Sequence, residues 1–253
     1  MIAPDVAKAR RFLDARAAPN PLVAAITGSH LYGFPSGDSD IDLKGIHASP
    51  TAEVVSLHPA KEAVDFLGDF EGTEIDYTSH EIGQALRLLV KGNGNILERL
   101  LSPWQVIASV DSLALAELGR GAISKKFYGH YRGFFFTMRD QHAKAEAKTA
   151  KGLLYCYRSA LTGIHLLATG ECVADVTVLG PRHGFPSVLA LAEIKRRGTE
   201  FGTIDAVADY EADLPRLEEA LDAAWKSSTL PEHPPNEDAL SSALVAYRRR
   251  FFA

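Results

Sequence analysis

Little in this chain would staple it, anchor it or mark it for export. Its 253 residues include only two cysteines, Cys156 and Cys172. Two are too few for a disulfide framework, and their spacing is not that of a metal site. Both read as reduced thiols, and a cytoplasmic location is the expectation that follows. No apolar run is long enough to span a membrane, and the N-terminus lacks a signal-peptide pattern. No internal repeat or low-complexity tract interrupts the chain. A cationic excess is missing too: the formal charge of −5 argues against a uniformly basic nucleic-acid coat. Hydrophobic residues at 46% and charged residues at 23% are ordinary for a globular protein. The length allows one large domain or two modest ones.

What the chain does have is concentrated between residues 28 and 42, Gly-Ser-His-Leu-Tyr-Gly-Phe-Pro-Ser-Gly-Asp-Ser-Asp-Ile-Asp. The apolar run from Leu22 to Ile26 leads into Gly28-Ser29, and a short loop is expected to follow. A strand over 40–47 alternates its side chains, so Asp40 and Asp42 share a face. Two carboxylates crowded on one face repel each other and call for a cation. Oxygen ligands favour a hard one, Mg²⁺ or Mn²⁺. The upstream Gly-Ser lets backbone amides approach an anion closely. A phosphate-cradling turn beside a two-carboxylate metal site is what metal-assisted nucleotidyl transfer requires.

Gly-Ser followed at this distance by Asp-x-Asp resembles the signature of the DNA-polymerase-β nucleotidyltransferase superfamily, in which a later strand supplies a third acidic residue. Asp76 is the candidate here. Thr73 to Ser79 has strand composition, and on it Asp76 lies opposite Ile75 and Tyr77. Glu74 has the same facing and is the rival; Asp65 and Asp69 precede the strand. Thr78 and Glu81 fit a capping box for the helix that follows.

Elsewhere, helices are expected at 5–17, 80–91 and 96–101, and strands at 22–27, 40–47, 53–57 and 73–79. After about residue 108 the pattern becomes helical: 111–118 with Asp111 as N-cap, 124–148 and 149–169 as one helix or two, then 187–197 capped by Ser187, 211–227 and 236–252. Gly170 is a plausible stop. Arg248-Arg249-Arg250 reads as a solvated helix end. The fold class expected is α+β. A polymerase-β-like nucleotidyltransferase domain (1–110, a mixed sheet with helices) precedes a helical C-terminal domain (111–253).

Charge is uneven. Residues 125–158 hold eight Lys or Arg against two acids, a local +6, which leaves −11 for the rest. Positions 137, 141, 144, 148, 151, 155 and 158 step by fours and threes, one stripe if the helix is continuous. Lys151, Tyr155 and Arg158 on that stripe are candidates to hold a triphosphate opposite the metal site or to draw in a polyanionic acceptor.

Taken together, Gly28 to Gly33, Ser39 to Asp42, Asp76 with the helix from Glu81 to Lys91, Lys91-Gly92-Asn93 leading into Asn95 to Glu98, the helix bearing Lys151, Tyr155 and Arg158, and Leu230-Pro231 resemble a narrower group, the YcgL-like, RNA-ligase-associated (RlaP-type) nucleotidyltransferases. The chain departs from the group where Leu43-Lys44-Gly45 replaces an aromatic-Arg-Gly and where Gly94 replaces Pro. The resemblance implies a two-metal enzyme that moves a nucleoside monophosphate from an NTP, ATP among them, to an acceptor hydroxyl in RNA repair or processing. RNA is then the implied acceptor, and an RNA ligase is functionally linked. Asp40, Asp42 and Asp76 are the implied metal ligands and catalytic residues. Gly28 and Ser29 would bind the β- and γ-phosphates. The same active site would also serve transfer to a small molecule, as in aminoglycoside-type enzymes, or to a protein, as in toxin–antitoxin systems.

Overall fold

The structure is a computed structural model that describes residues 2–198 and 207–252. Along the chain run α1 (Val6–Arg16), β1 (Pro21–Ile26), α2 (Gly28–Tyr32), β2 (Ile41–His47), α3 (Thr51–Val54), β3 (Ala63–Phe70), β4 (Thr73–Glu81), α4 (Ile82–Val90), α5 (Gly94–Leu101) and α6 (Val110–Gly121). There follow α7 (Phe127–Lys144), α8 (Ala150–Thr169), α9 (Val176–Arg182), α10 (Ser187–Arg197), α11 (Val207–Glu211), α12 (Asp213–Ser227) and α13 (Glu237–Arg250). The class is α+β as expected, a small mixed sheet near the N-terminus followed by a helical region.

The chain divides into two compact units, each assembled from separated stretches. One holds Pro4–Gly28, Asp40–Ala122 and His233–Ala253; the other holds Met1–Ala3, Ser29–Ser39 and Ile123–Glu232. A single cut near residue 110 therefore does not coincide with the borders of these units. Residues 29–39 group with the later helices, and α6 and α13 group with the sheet.

In the sheet unit the strand order is β1-β2-β4-β3. β2 pairs antiparallel with β1 and parallel with β4, and β3 and β4 form an antiparallel hairpin. Its two-residue turn, Glu71-Gly72, has positive φ at both positions (51° and 76°), the twist that suits a tight hairpin. One face of the sheet is apolar: Ile26, Ile41, Leu43, Ile75 and Tyr77 pack with Ala9, Phe12 and Leu13 of α1. Phe12 is the hub, with ring centroids 5.1, 5.4 and 5.5 Å from Phe66, Phe70 and Tyr77. Alternation then places Asp42, Lys44 and Asp76 on the opposite face.

Several local expectations are corrected. Residues 53–57 are not a strand; α3 and a turn lie there, with Val55 and Leu57 exposed. β-branched composition makes a strand only where a half-buried pleated surface receives it. β4 continues to Glu81, so Thr78 caps nothing. Glu81 itself is the N-cap of α4 and accepts the Gly83 N–H at 2.7 Å. Ser109, not Asp111, caps α6, in a reciprocal box with Ser112. Asp111 instead accepts from Arg250 at 2.8 Å and from Tyr247 at 3.2 Å. The C-terminal arginines are accordingly not merely solvated, and Arg248 makes two 2.7 Å bonds to Glu81. Ser187 opens α10 without capping it; its hydroxyl donates to Asp213 at 2.5 Å.

In the helical unit α8 is the centre. Its residues from Leu153 to Leu167 are nearly all buried, which a helix apolar on every face requires. Thr149 caps its start by accepting the Gly152 N–H at 3.1 Å, and Gly170 in the left-handed conformation ends it. Leu214, Leu217 and Leu221 of α12 and Val188, Leu191 and Ala192 of α10 join the same core.

Candidate active site

The carboxylate face of the sheet is built by register. Asp42 of β2 pairs with Asp76 of β4 on parallel neighbours, so the two side chains stand side by side. Glu74 pairs instead with Asp69, near the hairpin turn, and is exposed. Asp42 and Asp76 are half-buried. Lys44 lies on the same face two residues beyond Asp42. Its ammonium is 2.8 Å from Asp76 Oδ1 and 3.8 Å from Asp42 Oδ1, and it donates to the Asp76 carbonyl at 3.2 Å.

β1 delivers the Gly-Ser turn beside this pair. The Thr27 N–H donates to the Asp42 carbonyl at 2.8 Å, extending the β1–β2 ladder by one residue. Gly28 then turns with φ +61°, and an ideal Cβ built on it would lie 1.7 Å from Asp42 Oδ2. Glycine is needed there twice over, for the backbone conformation and for the space. The segment after it is not a loop but the one-turn helix α2. Ser29, buried, has a hydroxyl with no hydrogen-bond partner among the described residues. A buried hydroxyl of that kind is uncommon and asks for a partner.

Asp40 precedes β2 and is half-buried. The turn before it in the chain is pinned. Ser39 Oγ accepts the Ser36 N–H at 2.9 Å, and the buried Lys195 of α10 donates to Ser36 Oγ at 2.7 Å and Ser39 Oγ at 3.3 Å. Lys44 enters the sequence reading only where it stands in place of the group's Arg, and Lys195 does not enter it. Lys44 was legible as a face-mate of Asp42 through the alternation Asp-x-Asp-x-Lys; Lys195 gave no signal.

Among the described residues no three His, Cys, Asp or Glu side chains are grouped so as to hold a metal ion. The chemistry of the pair nevertheless suits a hard cation: two carboxylates abreast, with a lysine ammonium already standing in as their counter-charge. Asp42 and Asp76 are the residues that would hold a divalent ion, and Asp40 stands at the entry to β2.

In the helical unit the basic stripe does not survive. α7 ends at Lys144, and α8 starts at Ala150. Between them Lys148 donates to the His142 and Ala143 carbonyls at 2.6 and 2.8 Å, capping the end of α7. Arg132 pairs with Asp222 at 3.2 Å, Arg139 with Glu218 at 2.6 Å and Lys125 with Glu232 at 2.7 Å, so much of the local +6 meets acids brought from later in the chain. Arg158 is buried rather than surface-facing. It donates to the Tyr32 hydroxyl, and its guanidinium lies 4.0 Å from the Tyr32 ring centroid and 5.1 Å from that of Phe134. Tyr155 packs edge-on against Tyr32 and Phe34, 6.0 Å from each. Lys151 and Tyr155 do share a cavity of about 350 Å³ in this unit, lined also by Gln141, His142, Thr149 and Gly152.

On the sheet, Arg99 Nη1 donates to the Gly45 carbonyl at 2.6 Å and meets His80 Nδ1 at 2.9 Å. Burial, with the Arg99 charge next, pushes His80 down to about 4. Burial alone would raise Glu81, but the bonds from Arg248 and the Gly83 N–H outweigh it and hold that carboxyl below its ordinary range.

Comparison with known proteins comes down on one family. The model of the RNA repair pathway DNA polymerase β family, RlaP, matches residues 10–246. Protein MJ0002 of Methanocaldococcus jannaschii, which bears the name uncharacterized protein, is 28% identical over 238 residues, spanning 92% of this chain and 95% of its own. The crystal structure of a nucleotidyltransferase-like protein from Exiguobacterium sibiricum shares 12% identity over 98% of this chain and 78% of that one, with a TM-score of 0.33, a likeness too slight to add to the family match.

Proposed function

The chain belongs to the RNA repair pathway DNA polymerase β family, and from that premise we propose that it moves a nucleoside monophosphate from an NTP to an acceptor hydroxyl on an RNA end, in a reaction dependent on Mg²⁺ or Mn²⁺. The observation that carries this reading is the Asp42–Asp76 pair with Gly28 pressed against Asp42. Asp40, Asp42 and Asp76 would hold the metal ions. When bound, these supply Lewis-acid stabilisation of the charge that develops on the phosphates.

The remaining work falls to the chain. The acceptor oxygen attacks the α-phosphorus, its bond to phosphorus forms as the bond to the β-phosphate oxygen breaks, and pyrophosphate leaves. Asp76 takes the acceptor's proton. Gly28 gives the triphosphate close access to backbone N–H groups, and the Ser29 hydroxyl, without a hydrogen-bond partner among the described residues, donates to a phosphate oxygen. Lys151 and Tyr155, lining the cavity of the helical unit, are the residues proposed for nucleotide binding in that unit. Arg158 supports them from within by fixing Tyr32. A functional link to an RNA ligase accompanies the RNA-repair reading.

A second reading has one observation in its favour. Three of the eight cations of residues 125–158, Lys125, Arg132 and Arg139, are paired with acids, which leaves less positive charge for a polyanion than the sequence promised. Transfer to a small molecule or to a protein uses the same residues. The test is incubation with Mg²⁺ or Mn²⁺, each of four α-labelled NTPs and a mixed small-RNA pool, beside Asp40→Ala/Asp42→Ala. Label entering RNA with the wild type alone supports the RNA acceptor. NTP turnover without labelled RNA transfers the reading to another acceptor, and no metal-dependent turnover overturns the enzyme.

A further inference from the structure

Resting on the metal-dependent reading above, we infer that Lys44 is the resident counter-cation of the Asp42–Asp76 pair, and that a divalent ion bridging these carboxylates must displace it. The ammonium reaches one oxygen of each carboxylate, at 2.8 Å on Asp76 and 3.8 Å on Asp42, and anchors itself on the Asp76 carbonyl. An ion held by these carboxylates would bring a second cation beside the ammonium, and two cations so close repel strongly. Filling by metal and release of Lys44 are therefore one event.

The lysine offsets half of the charge of the two half-buried carboxylates and holds Asp76 in place. It also sets a cost on metal entry that the pair alone would not impose. A lysine suits the part because it is a point charge on a flexible stem. Arginine would grip Asp76 through a planar fork and leave less readily.

The test is Mn²⁺ binding to the whole chain, read by calorimetry and by the electron paramagnetic resonance of free Mn²⁺, with no nucleotide and no turnover. Lys44→Met is expected to bind Mn²⁺ about tenfold more tightly than the wild type, the scale on which side chains next to metal ligands act. Lys44→Gln, which removes the charge yet leaves a donor for Asp76, should shift affinity in the same direction and serves if the Met variant folds poorly. Lys44→Arg should bind more weakly. Adding Asp76→Asn to Lys44→Met should cancel the gain. Lys8→Met, a lysine of the same unit held by Thr73 and the Glu71 carbonyl, should change nothing. Equal or weaker Mn²⁺ binding by folded Lys44→Met and Lys44→Gln overturns the inference, as does an equal gain in Lys8→Met. Asp42→Asn separates the levels. If it loses Mn²⁺ while the Lys44 variants gain none, only this inference falls; if it binds like the wild type, the metal reading falls with it.

Discussion

Gly28 and Asp42 occupy space that only one side chain can fill. A Cβ on Gly28 would sit inside the Asp42 carboxylate, 1.7 Å from Oδ2, on a backbone already at φ +61°. Gly28→Ala must either strain the turn or push Asp42 off its position beside Asp76. Strain of this kind costs about 1–3 kcal/mol. The expected outcome is a lower denaturation midpoint together with loss of nucleotidyl transfer. An alanine variant as stable and as active as the wild type would contradict the close packing.

Asp42→Asn keeps the shape of the side chain and removes its charge. Nucleotidyl transfer should fall by more than the roughly 100-fold that loss of an outer-shell metal partner can cost. Thermal unfolding should be near the wild-type value, since Asp42 faces away from the apolar core. Activity within a few-fold of wild type would remove Asp42 from the reaction.

Arg248→Met tests a contact between distant parts of the chain. It strands the Glu81 carboxylate, which is almost wholly buried, and breaking such a pair costs about 3 kcal/mol. The sign of the pH dependence follows from Glu81's lowered folded-state value. The stabilisation is complete above the unfolded value near 4.5 and is lost as pH falls through the lower folded value. The stability gap between wild type and Arg248→Met should therefore be widest near neutral pH and close in acid. Urea titrations at several pH values measure it.

His80, depressed to about 4 in the fold, releases its proton early. Between roughly 4 and the ordinary 6.5 the unfolded chain binds a proton that the native one does not, so stability rises with pH across that window. His80→Gln should flatten this part of the stability–pH curve. An imidazole titrating near 6.5 by NMR in the native protein would refute the burial argument.

The turn and the carboxylate strand were legible because their signals are local: an apolar run, a glycine, and alternation that sets the facing of Asp42 within its own strand and of Asp76 within its own. β3 was missed because Asp65, Gly68 and Asp69 interrupt its apolar pattern and leave it looking like a linker. The pairing of Asp42 with Asp76 does not follow from alternation, which fixes facing only within a strand; the parallel register is set by contacts between strands far apart in sequence. The basic stripe misled for a related reason. Periodicity cannot see the break at Thr149, nor the acids of α12 that fold back onto Arg132 and Arg139. Arg158 sits in a long helix that is apolar on nearly every face, which was itself a sign that it would be enclosed rather than displayed.

The interleaving of the two units has a consequence for how the protein is born. Ribosomes deliver residues in order, and domains tend to fold as units while synthesis proceeds. Every residue of the helical unit has been made by position 232, whereas the sheet unit still awaits α13. Until then Glu81 has no Arg248, Asp111 has no Tyr247 or Arg250, and the Thr51 hydroxyl lacks the Arg248 carbonyl to which it donates at 2.7 Å. The unit that holds most of the first 122 residues is thus the one completed last, and a nascent chain stalled short of residue 248 would carry the carboxylate strands in an unfinished unit.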